Sequence, residues 1–442
     1  MGNHDKHVKN SYLMDPSMTV IPIGKSHITL SKNFSSEEYI INPRYTPGIN
    51  LKDNLISSIE SPIGCPPLHE LLKPNASICL LVEDITRPGP KKEILTILIT
   101  YLAKHGIKNN NITIIFARGL HRRHSRSEWI QMIGEKIVEQ YRVMDHEPHD
   151  QSRLIFIGET SRGTPVEINK FVCESDLIIG VSYLGIHDFA GYTGGGKIIL
   201  PGVASEKAIK KNHILSLDER SLPGIADGNP ARMDMEEAAE ILGYHFSINV
   251  PLNYRGEPVG VFSGHFVKAH RCGVPVTDEM YKIPLKDKAE LVIVSAGGFP
   301  HDINLYQAER SIRYSSRVLV EGGTLILVAD CIDGIGNRDM QKTIKDYRGD
   351  PDNIRDELLK DYSIGKWVAW DLLQNSEKYD IFIVSENLDP RVFSQTRIKI
   401  FQRIENALKL AYSKHGFSPK YLVIPYGNIT LPWVPNCRLY KA

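Results

Sequence analysis

Residues 175–183 (SDLIIGVSY) form a largely apolar, partly β-branched segment, and a glycine-rich stretch follows directly. Such a segment is typical of a strand buried on both faces, as in the parallel sheets of α/β proteins. The following stretch, residues 185–213 (GIHDFAGYTGGGKIILPGVASEKAIKKNH), contains six glycines, two histidines and a lysine next to a glycine run. Because α/β sheets bind ligands where their strands end, residues 185–213 predict a binding site.

One alternative for this stretch is the loop of a phosphate-loop NTPase or kinase, since residues 191–197 satisfy G-x-x-x-x-G-K. Two features count against it. Ile198 stands where a hydroxyl should reach magnesium, and Pro201 and Gly202 would break the helix that should hold the phosphates. We therefore interpret the glycines as allowing positive φ and close approach of a planar ligand, beside which Lys197 presents its amine.

Composition indicates a globular protein that acts on small molecules. The chain has 442 residues, of which 42% are hydrophobic and 24% charged, enough apolar surface for two domains. With 53 basic and 52 acidic residues, the net charge of +1 gives no electrostatic reason to expect nucleic acid or membrane partners. The six cysteines are scattered without a C-x-x-C pair, and no signal-like or membrane-spanning apolar run is present. These features predict a cytoplasmic protein.

Strand-like and helix-like segments alternate along both halves of the chain. In the first half, strands are predicted at 76–83, 112–117, 153–158, 175–183 and 245–250, and helices at 90–105, 125–141, 205–215 and 233–242. In the second half, strands are predicted at 290–295, 324–329, 381–384 and 421–425, and helices at 305–317, 353–362, 365–373 and 404–415.

This alternation predicts an α/β fold with two α/β domains and mostly parallel sheets. The expected domains are residues 1–272 and 273–417, with residues 418–442 packing back on the first. Ligand sites favour domain interfaces, so the active site is expected in the cleft between the domains.

Polar residues follow three predicted strands of the first domain at the points where those strands end. Asp84 and Arg87 follow the first, His121 the second, and His187 the central one. Parallel strands would bring all of them to the same edge of the sheet. Arg87 is a candidate for bidentate carboxylate recognition, and the histidines are candidates for a pair flanking a ligand. Taken singly, each could instead be a surface ion-pair arginine or a structural histidine.

Six ordered motifs together resemble the nickel-pincer lactate racemase family, whose members racemise or epimerise 2-hydroxy acids. The resemblance extends over most of the chain, from about residue 20 to residue 430. The motifs are DITRPGP (84–90), GLHR (119–122), GTPVEINK (163–170), GIHDFAGYTGGGKIILPG (185–202), GNP (228–230) and NLYQ (304–307).

The resemblance implies a nickel ion held by a pincer nucleotide, pyridinium-3,5-bisthiocarboxylic acid mononucleotide, which cofactor-synthesis enzymes load onto the protein. By motif, the lysine that would tether this cofactor through a thioamide is Lys197, and the protein's nickel ligand would be His213. Neutral imidazole suits nickel beside soft sulfur donors. The resemblance also places four residues around the cofactor: Asp84, Gly194, Gly195 and Gly196.

The resemblance further implies inversion of C2 by hydride transfer to and from the cofactor, through a 2-oxo acid intermediate, with His121 and His187 as the acid/bases. The expected substrate-binding residues are Arg87, Tyr306, Gln307, Arg310 and Trp370. Arg310 stands where the family has a lysine, which changes hydrogen-bond geometry more than charge and suggests a 2-hydroxy acid other than lactate. If the histidine pair were idle, a non-catalytic cofactor-binding protein of the same fold would remain.

Overall fold

The computed structural model describes residues 18–31, 38–416 and 419–435, which divide into two compact units. The first unit contains Pro43–Ile283 and Arg355–Ser363, and the remaining described residues form the second. Each unit contains a six-stranded sheet with helices, which confirms the predicted α/β class and mostly parallel sheets.

The strands are numbered in chain order. They are β1 Met18–Ile23, β2 Ser26–Ser31, β3 Glu38–Ile40, β4 Ile78–Glu83, β5 Ile112–Ala117, β6 Arg142–Asp145, β7 Leu154–Glu159, β8 Pro165–Asn169, β9 Leu177–Leu184, β10 Ile186–His187, β11 Gly191–Tyr192, β12 Phe246–Pro251, β13 Phe262–Gly264, β14 Lys282–Pro284, β15 Ala289–Ser295, β16 Leu319–Val328, β17 Asp380–Val384, β18 Lys399–Phe401, β19 Tyr421–Ile424 and β20 Leu431–Trp433.

The α-helices are numbered in the same way. They are α1 Leu51–Glu60, α2 Leu68–Leu71, α3 Lys91–Lys104, α4 Arg126–Ile133, α5 Glu135–Gln140, α6 Lys170–Cys173, α7 Glu206–His213, α8 Pro230–Leu242, α9 Phe266–Tyr281, α10 Leu305–Ser315, α11 Arg338–Lys345, α12 Pro351–Lys360, α13 Ile364–Lys378 and α14 Ile404–His415. Across the described ranges, none of these helices is both long and apolar enough to cross a bilayer.

The main sheet of the first unit has the strand order β13-β12-β9-β4-β5-β6, parallel except for β13. Strands β9, β4 and β5 are adjacent, so the loops after them leave the sheet side by side. This confirms the prediction that the three polar segments share one edge. The sheet core is aliphatic, and β4 (ICLLVE) is buried at its first five positions because helices cover both faces.

The structure differs from the sequence-based prediction in two places of the first unit. The strand predicted at 153–158 is present as β7, but it pairs antiparallel with β8 in a hairpin outside the main sheet, whose edge strand is β6. The single helix predicted at 125–141 is divided into α4 and α5 at Gly134, whose φ of +89° is incompatible with a continuous helix.

The domain boundaries also differ from those expected. Helix α9 runs unbroken through residue 272, so the first unit continues to Ile283. Strand β3 pairs with β19 in the second sheet, so the described residues before Pro43 belong to the second unit. Residues 419–435 are also grouped with the second unit. Residues 1–17 and 436–442 of the predicted domains lie outside the described residues.

The sheet of the second unit has the order β18-β17-β16-β15-β19-β3, and all its neighbouring strands are parallel. Helix α10 is the first helix after β15, and its N-terminus carries the predicted substrate residues. Asn304 caps this helix by accepting a hydrogen bond from the Gln307 amide at 3.0 Å, which explains why the helix begins at Leu305.

Candidate active site

The loop after β4 places a buried carboxylate against one of the predicted histidines. Asp84 is 3% exposed and accepts hydrogen bonds from the Thr86 hydroxyl at 2.6 Å, the Thr86 amide at 3.1 Å and Nδ1 of His121. The His121 side chain is 51% exposed. Burial alone would raise the pKa of Asp84, but the bonds from His121 and Thr86 outweigh it and hold that pKa well below its ordinary value. Asp84 is therefore an ionised carboxylate that orients His121.

A second pair of a histidine and a carboxylate, His124 and Asp145, was missed by sequence analysis. His124 Nδ1 contacts Asp145 Oδ1 at 2.8 Å, and the Trp129 indole donates to the same oxygen at 3.0 Å. On its other side, His124 Nε2 accepts the Ile85 amide at 3.2 Å. This pair joins the loops after β4 and β5, which fixes the positions of the residues that carry the site. A histidine three residues after His121 was the available signal.

The third segment of this edge is a short hairpin, β10 and β11, in which His187 pairs with Gly191. His187 Nδ1 accepts the amide hydrogen of Ala190 at 3.3 Å. Its ring packs edge-on against Phe189 with centroids 4.9 Å apart, and Phe189 packs in the same way against His213, also at 4.9 Å. A chain of aromatic contacts therefore connects the predicted base to the predicted metal ligand.

The glycine-rich loop is held by a buried arginine that sequence analysis did not identify. Arg232 is fully buried at the start of α8 and donates hydrogen bonds to the carbonyls of Ala190 at 3.0 Å, Gly194 at 2.9 Å and Tyr192. The loop then forms a 3₁₀ turn, Gly195–Ile198, and the next α-helix starts only at Glu206. The loop thus lacks the helix that a phosphate loop enters, which counts against the NTPase alternative.

The space beside the loop glycines is filled by protein. A Cβ on Gly194 would lie 2.6 Å from Oδ1 of Asn249, and one on Gly195 would lie 3.0 Å from the Phe266 carbonyl. A Cβ on Gly196 would lie 3.0 Å from the Met235 carbonyl. These glycines therefore allow the loop to pack against its own unit, whereas sequence analysis had assigned them to the approach of a ligand. Their contact with the cofactor remains a prediction.

We expect Gly195→Ala to lower the free energy of unfolding by about 2–4 kcal/mol, because it combines left-handed strain with overpacking. Gly195 has φ of +59° and sits against the Phe266 carbonyl. Gly243→Ala is the matched control, since Gly243 has φ of +71° with nothing within 4 Å of its Cβ position. That control should cost about 1 kcal/mol. Urea unfolding would measure both, and equal losses would contradict the packing explanation.

The Lys197 side chain, on this loop, is partly buried and lies near the charged groups of Arg87 and Glu83. Burial and the nearby Arg87 guanidinium lower the pKa of Lys197 to about 7, against the opposing effect of Glu83. Glu83 is the last residue of β4, and its Oε2 accepts the Tyr183 amide at 2.7 Å. Burial raises the pKa of Glu83, although Arg87 and the amide of Tyr183 oppose the rise. Glu83 was missed by sequence analysis.

Because of this lowered pKa, Lys197 in the cofactor-free protein should react with an amine-selective reagent with a midpoint near pH 7. An ordinary lysine titrates near about 10.4 and would react far more slowly at neutral pH. Peptide mass spectrometry after brief labelling across a pH series would measure the midpoint, with exposed lysines of the same sample as the reference. A Lys197 midpoint equal to that of the exposed lysines would contradict the expectation.

His213 is the last residue of α7, and its ring packs against two aromatic side chains. Phe189 lies on one side, and Tyr362 lies at a centroid distance of 5.7 Å with an interplanar angle of 86°. Burial, together with the positive charges of Lys197 and His121, lowers the pKa of His213 to about 3. The imidazole is therefore neutral at physiological pH, which is the form that can bind a metal.

The structure thus brings together the candidates of the first unit. The charges of Arg87 and Asp84 act on the pKa of Lys197, and those of Lys197 and His121 act on the pKa of His213. The Phe189 ring contacts both His187 and His213. No cluster of three or more histidine, cysteine, aspartate or glutamate side chains that could hold a metal occurs among the described residues. His213 remains the predicted nickel ligand.

The predicted substrate residues of the second unit lie on α10 and α13. Tyr306 and Arg310 are partly buried and Gln307 is exposed, on the first two turns of α10. Arg310 lies close enough to His301 to contribute to the lowered pKa of that histidine, which burial mainly causes. Trp370 is only 6% exposed within α13, so it is a packed residue of this unit. The roles of these residues in substrate binding remain predictions.

Comparison with known protein families identifies both halves of the chain. Residues 23–223 match the lactate racemase N-terminal domain, and residues 285–430 match the lactate racemase C-terminal domain. The chain belongs to the lactate racemase family. It is therefore an isomerase, of the racemase type.

Relatives of this family, and solved structures with the same fold, cover nearly the whole chain. The lactate racemases of Thermoanaerobacterium thermosaccharolyticum and Lactiplantibacillus plantarum are each 29% identical to it, over 92% of this chain and 97% of their own length. The structure of the T. thermosaccharolyticum lactate racemase apoprotein has a TM-score of 0.86 at 27% identity, covering 94% of this chain and 100% of that one. A Thermotoga maritima protein shares the fold, with a TM-score of 0.65 at 18% identity over 88% of this chain and all of its own.

Proposed function

We propose that this chain inverts C2 of a 2-hydroxy acid by hydride transfer, through a 2-oxo acid intermediate, with His121 and His187 as acid/bases. The observation that carries the proposal is the convergence of both histidines with Lys197 and His213 at one sheet edge. Inversion at C2 needs a proton acceptor or donor for the hydroxyl on each face of a planar intermediate. Two histidines from the same edge of the sheet, after β5 and β9, meet that requirement.

The hydrogen bonds of the two histidines favour a different tautomer in each neutral ring. The Asp84 carboxylate only accepts, so it holds hydrogen on Nδ1 of His121 and leaves Nε2 of the neutral ring as a base. The Ala190 amide only donates, so Nδ1 of neutral His187 is an acceptor and Nε2 carries hydrogen. His121 is thus set to take the hydroxyl proton at Nε2, giving an imidazolium that the Asp84 carboxylate stabilises. To return a proton, His187 must first be protonated on both nitrogens, because loss of hydrogen from its neutral ring would leave an imidazolate anion. Proton exchange with solvent then restores both rings, and in the reverse direction His187 would be the base and His121 the acid.

The residues at this edge fit the nickel-pincer nucleotide. Lys197 offers an amine whose pKa of about 7 leaves a large neutral fraction at physiological pH, as a covalent tether requires. His213 offers a neutral imidazole nitrogen as the nickel ligand. When bound, this cofactor accepts the C2 hydride and returns it. Cofactor-synthesis enzymes would load it, and a cytoplasmic location would give access to them.

The proposed substrate contacts begin with Arg87, whose guanidinium is suited to a carboxylate. The turn after β4 holds its backbone, because the Arg87 amide donates to the Asp84 carbonyl at 3.3 Å and the Arg87 carbonyl accepts Nζ of Lys91. We keep Tyr306, Gln307, Arg310 and Trp370 as proposed substrate residues of the second unit. With an arginine at 310 the favoured substrate is a 2-hydroxy acid other than lactate.

Incubation of the loaded enzyme with a panel of D- and L-2-hydroxy acids, including aldonic acids, in heavy water tests the proposal. We expect inversion at C2 without deuterium uptake at that carbon, because a transferred hydride does not exchange with solvent. Protein made without the cofactor-synthesis enzymes is the control and should be inactive. Deuterium at C2 of the product would contradict hydride transfer, and inversion of no acid would contradict the function. A highest kcat/KM for lactate would contradict only the inference from Arg310.

A further inference from the structure

A buried carboxylate accepts hydrogen bonds from three side chains, one of which belongs to the residue before the proposed nickel ligand. Asp234, on α8, is completely buried. It accepts hydrogen bonds from the Thr160 hydroxyl at 2.6 Å, the Thr164 hydroxyl at 2.9 Å and the Asn212 side-chain amide at 2.8 Å. A buried charge with three donors is well stabilised and holds those donors in fixed positions. Asn212 is one of them, and it directly precedes His213.

The contacts of Asn212 determine which way its side-chain amide points. Nδ2 donates to Oδ2 of Asp234 and, at 3.1 Å, to the carbonyl of Ala231. Both partners are acceptors only, so a reversed amide would place its oxygen against two other oxygens. Asn212 is completely buried, so water would not relieve that repulsion. The orientation is therefore decided by chemistry, and Oδ1 faces away from Asp234.

The amide oxygen of Asn212 then contacts the proposed metal ligand. Oδ1 lies 3.2 Å from Nδ1 of His213. An amide oxygen cannot donate, so the hydrogen in this contact belongs to Nδ1 of the histidine. A neutral imidazole carries only one ring hydrogen, so Nε2 keeps its lone pair. Phe189 and Tyr362 pack against the same ring and restrict its rotation.

We propose that Asn212, oriented by Asp234, is a positioning residue that selects the Nδ1–H tautomer of His213 and thereby leaves Nε2 to bind the metal. Metal-binding histidines generally donate their other ring N–H to an oxygen acceptor, which fixes the tautomer and the ring direction. The tautomer part of this inference depends only on the cofactor-free protein. The metal part rests on the proposed function.

The tautomer can be measured in cofactor-free protein labelled with ¹⁵N-histidine, by long-range proton–nitrogen correlation. The His213 signals are identified by their loss in His213→Gln. We expect Nδ1–H in the wild type, and loss of that preference in Asn212→Ala. Asp234→Asn should retain Nδ1–H, because its amide oxygen can still accept from Asn212 and keep that amide in its present orientation. If Asn212→Ala does not fold, the tautomers of the wild type and of Asp234→Asn still decide the question.

Thr164→Val is the matched control, because it removes one donor from Asp234 and leaves the bond between Asn212 and Asp234 in place. Thr164→Val and Asn212→Ala should both lose stability, but only Asn212→Ala should change the tautomer. A role of Asn212 in stability alone would leave the tautomer of both variants unchanged. That result, or an Nε2–H tautomer in the wild type, would overturn the inference.

Nickel content after loading gives a second measurement. In Asn212→Ala the Lys197 adduct should still form, while nickel affinity falls about 10- to 100-fold, the usual effect of losing such a partner. His213→Ala provides the reference for complete loss of the ligand. Full nickel retention in Asn212→Ala would overturn the metal part of the inference. A wild type that takes up neither adduct nor nickel would contradict the proposed function, and the tautomer measurement would be unaffected.

Discussion

Lys197→Ala should carry no cofactor adduct, whereas the wild-type protein made alongside the cofactor-synthesis enzymes should show one by intact mass. The reason is that Lys197 supplies the amine for the proposed thioamide, and alanine has no nucleophile there. The loop itself should persist, because Arg232 holds it through the backbone carbonyls of Ala190, Tyr192 and Gly194. Racemisation should fall to background together with the adduct.

Lys207→Ala is the matched control for this experiment, because Lys207 is an exposed lysine ten residues further along. It should keep both the adduct and the activity. An adduct that persists at the same mass in Lys197→Ala would disprove the tether assignment. An adduct lost in both variants would point to a failure of loading, for which protein from cells without the pathway is the reference.

Replacing either histidine of the pair by asparagine should lower the rate of racemisation by about 10²- to 10⁴-fold, the usual contribution of an acid/base. Cofactor loading should be unchanged, because neither histidine is the proposed tether or metal ligand. Each base serves one face of the intermediate. His121→Asn and His187→Asn should therefore each stop formation of the 2-oxo acid from one enantiomer, and the affected enantiomer should differ between them.

A single turnover with each enantiomer, followed by trapping of the 2-oxo acid, would reveal this pattern. His149→Asn is the control, since His149 is an exposed histidine paired with Glu206 at the surface. It should leave both half-reactions intact. Equal loss for both enantiomers in His121→Asn and in His187→Asn would contradict the assignment of one base to each face. Full activity in either variant would remove that residue from the mechanism.

The local sequence was sufficient to predict the central strands of both six-stranded sheets. Strand β5 and helix α14 have the predicted bounds, because apolar runs and helical periodicity are local properties. The residues that follow β4, β5 and β9 were assigned to one edge for a similar reason, since parallel strands repeat the same geometry. Motifs were sufficient to indicate the family.

Other features depend on contacts between distant parts of the chain, and only the tertiary structure reveals them. Arg232 donates to loop carbonyls that lie 42 and 38 positions earlier in the sequence, and nothing in either segment indicates this contact. The same is true of Asp234, which orients Asn212 across 22 positions. The glycines show the difference most clearly. The positive φ of Gly194 and Gly195 could be anticipated from the residue type, but what fills the space beside Gly195, the Phe266 carbonyl, is decided by packing alone.

The charge states of the site residues also depend on tertiary contacts, so the sequence alone did not predict them. A lysine after three glycines has an ordinary pKa in an unfolded chain, and only folding places Lys197 in a partly buried pocket beside Arg87 and Glu83. The residue types and their order were enough to predict a tethering amine, two bases and a metal ligand. Their protonation and orientation depend on burial and on partners from other strands and helices, because desolvation and hydrogen bonding are properties of three-dimensional neighbours.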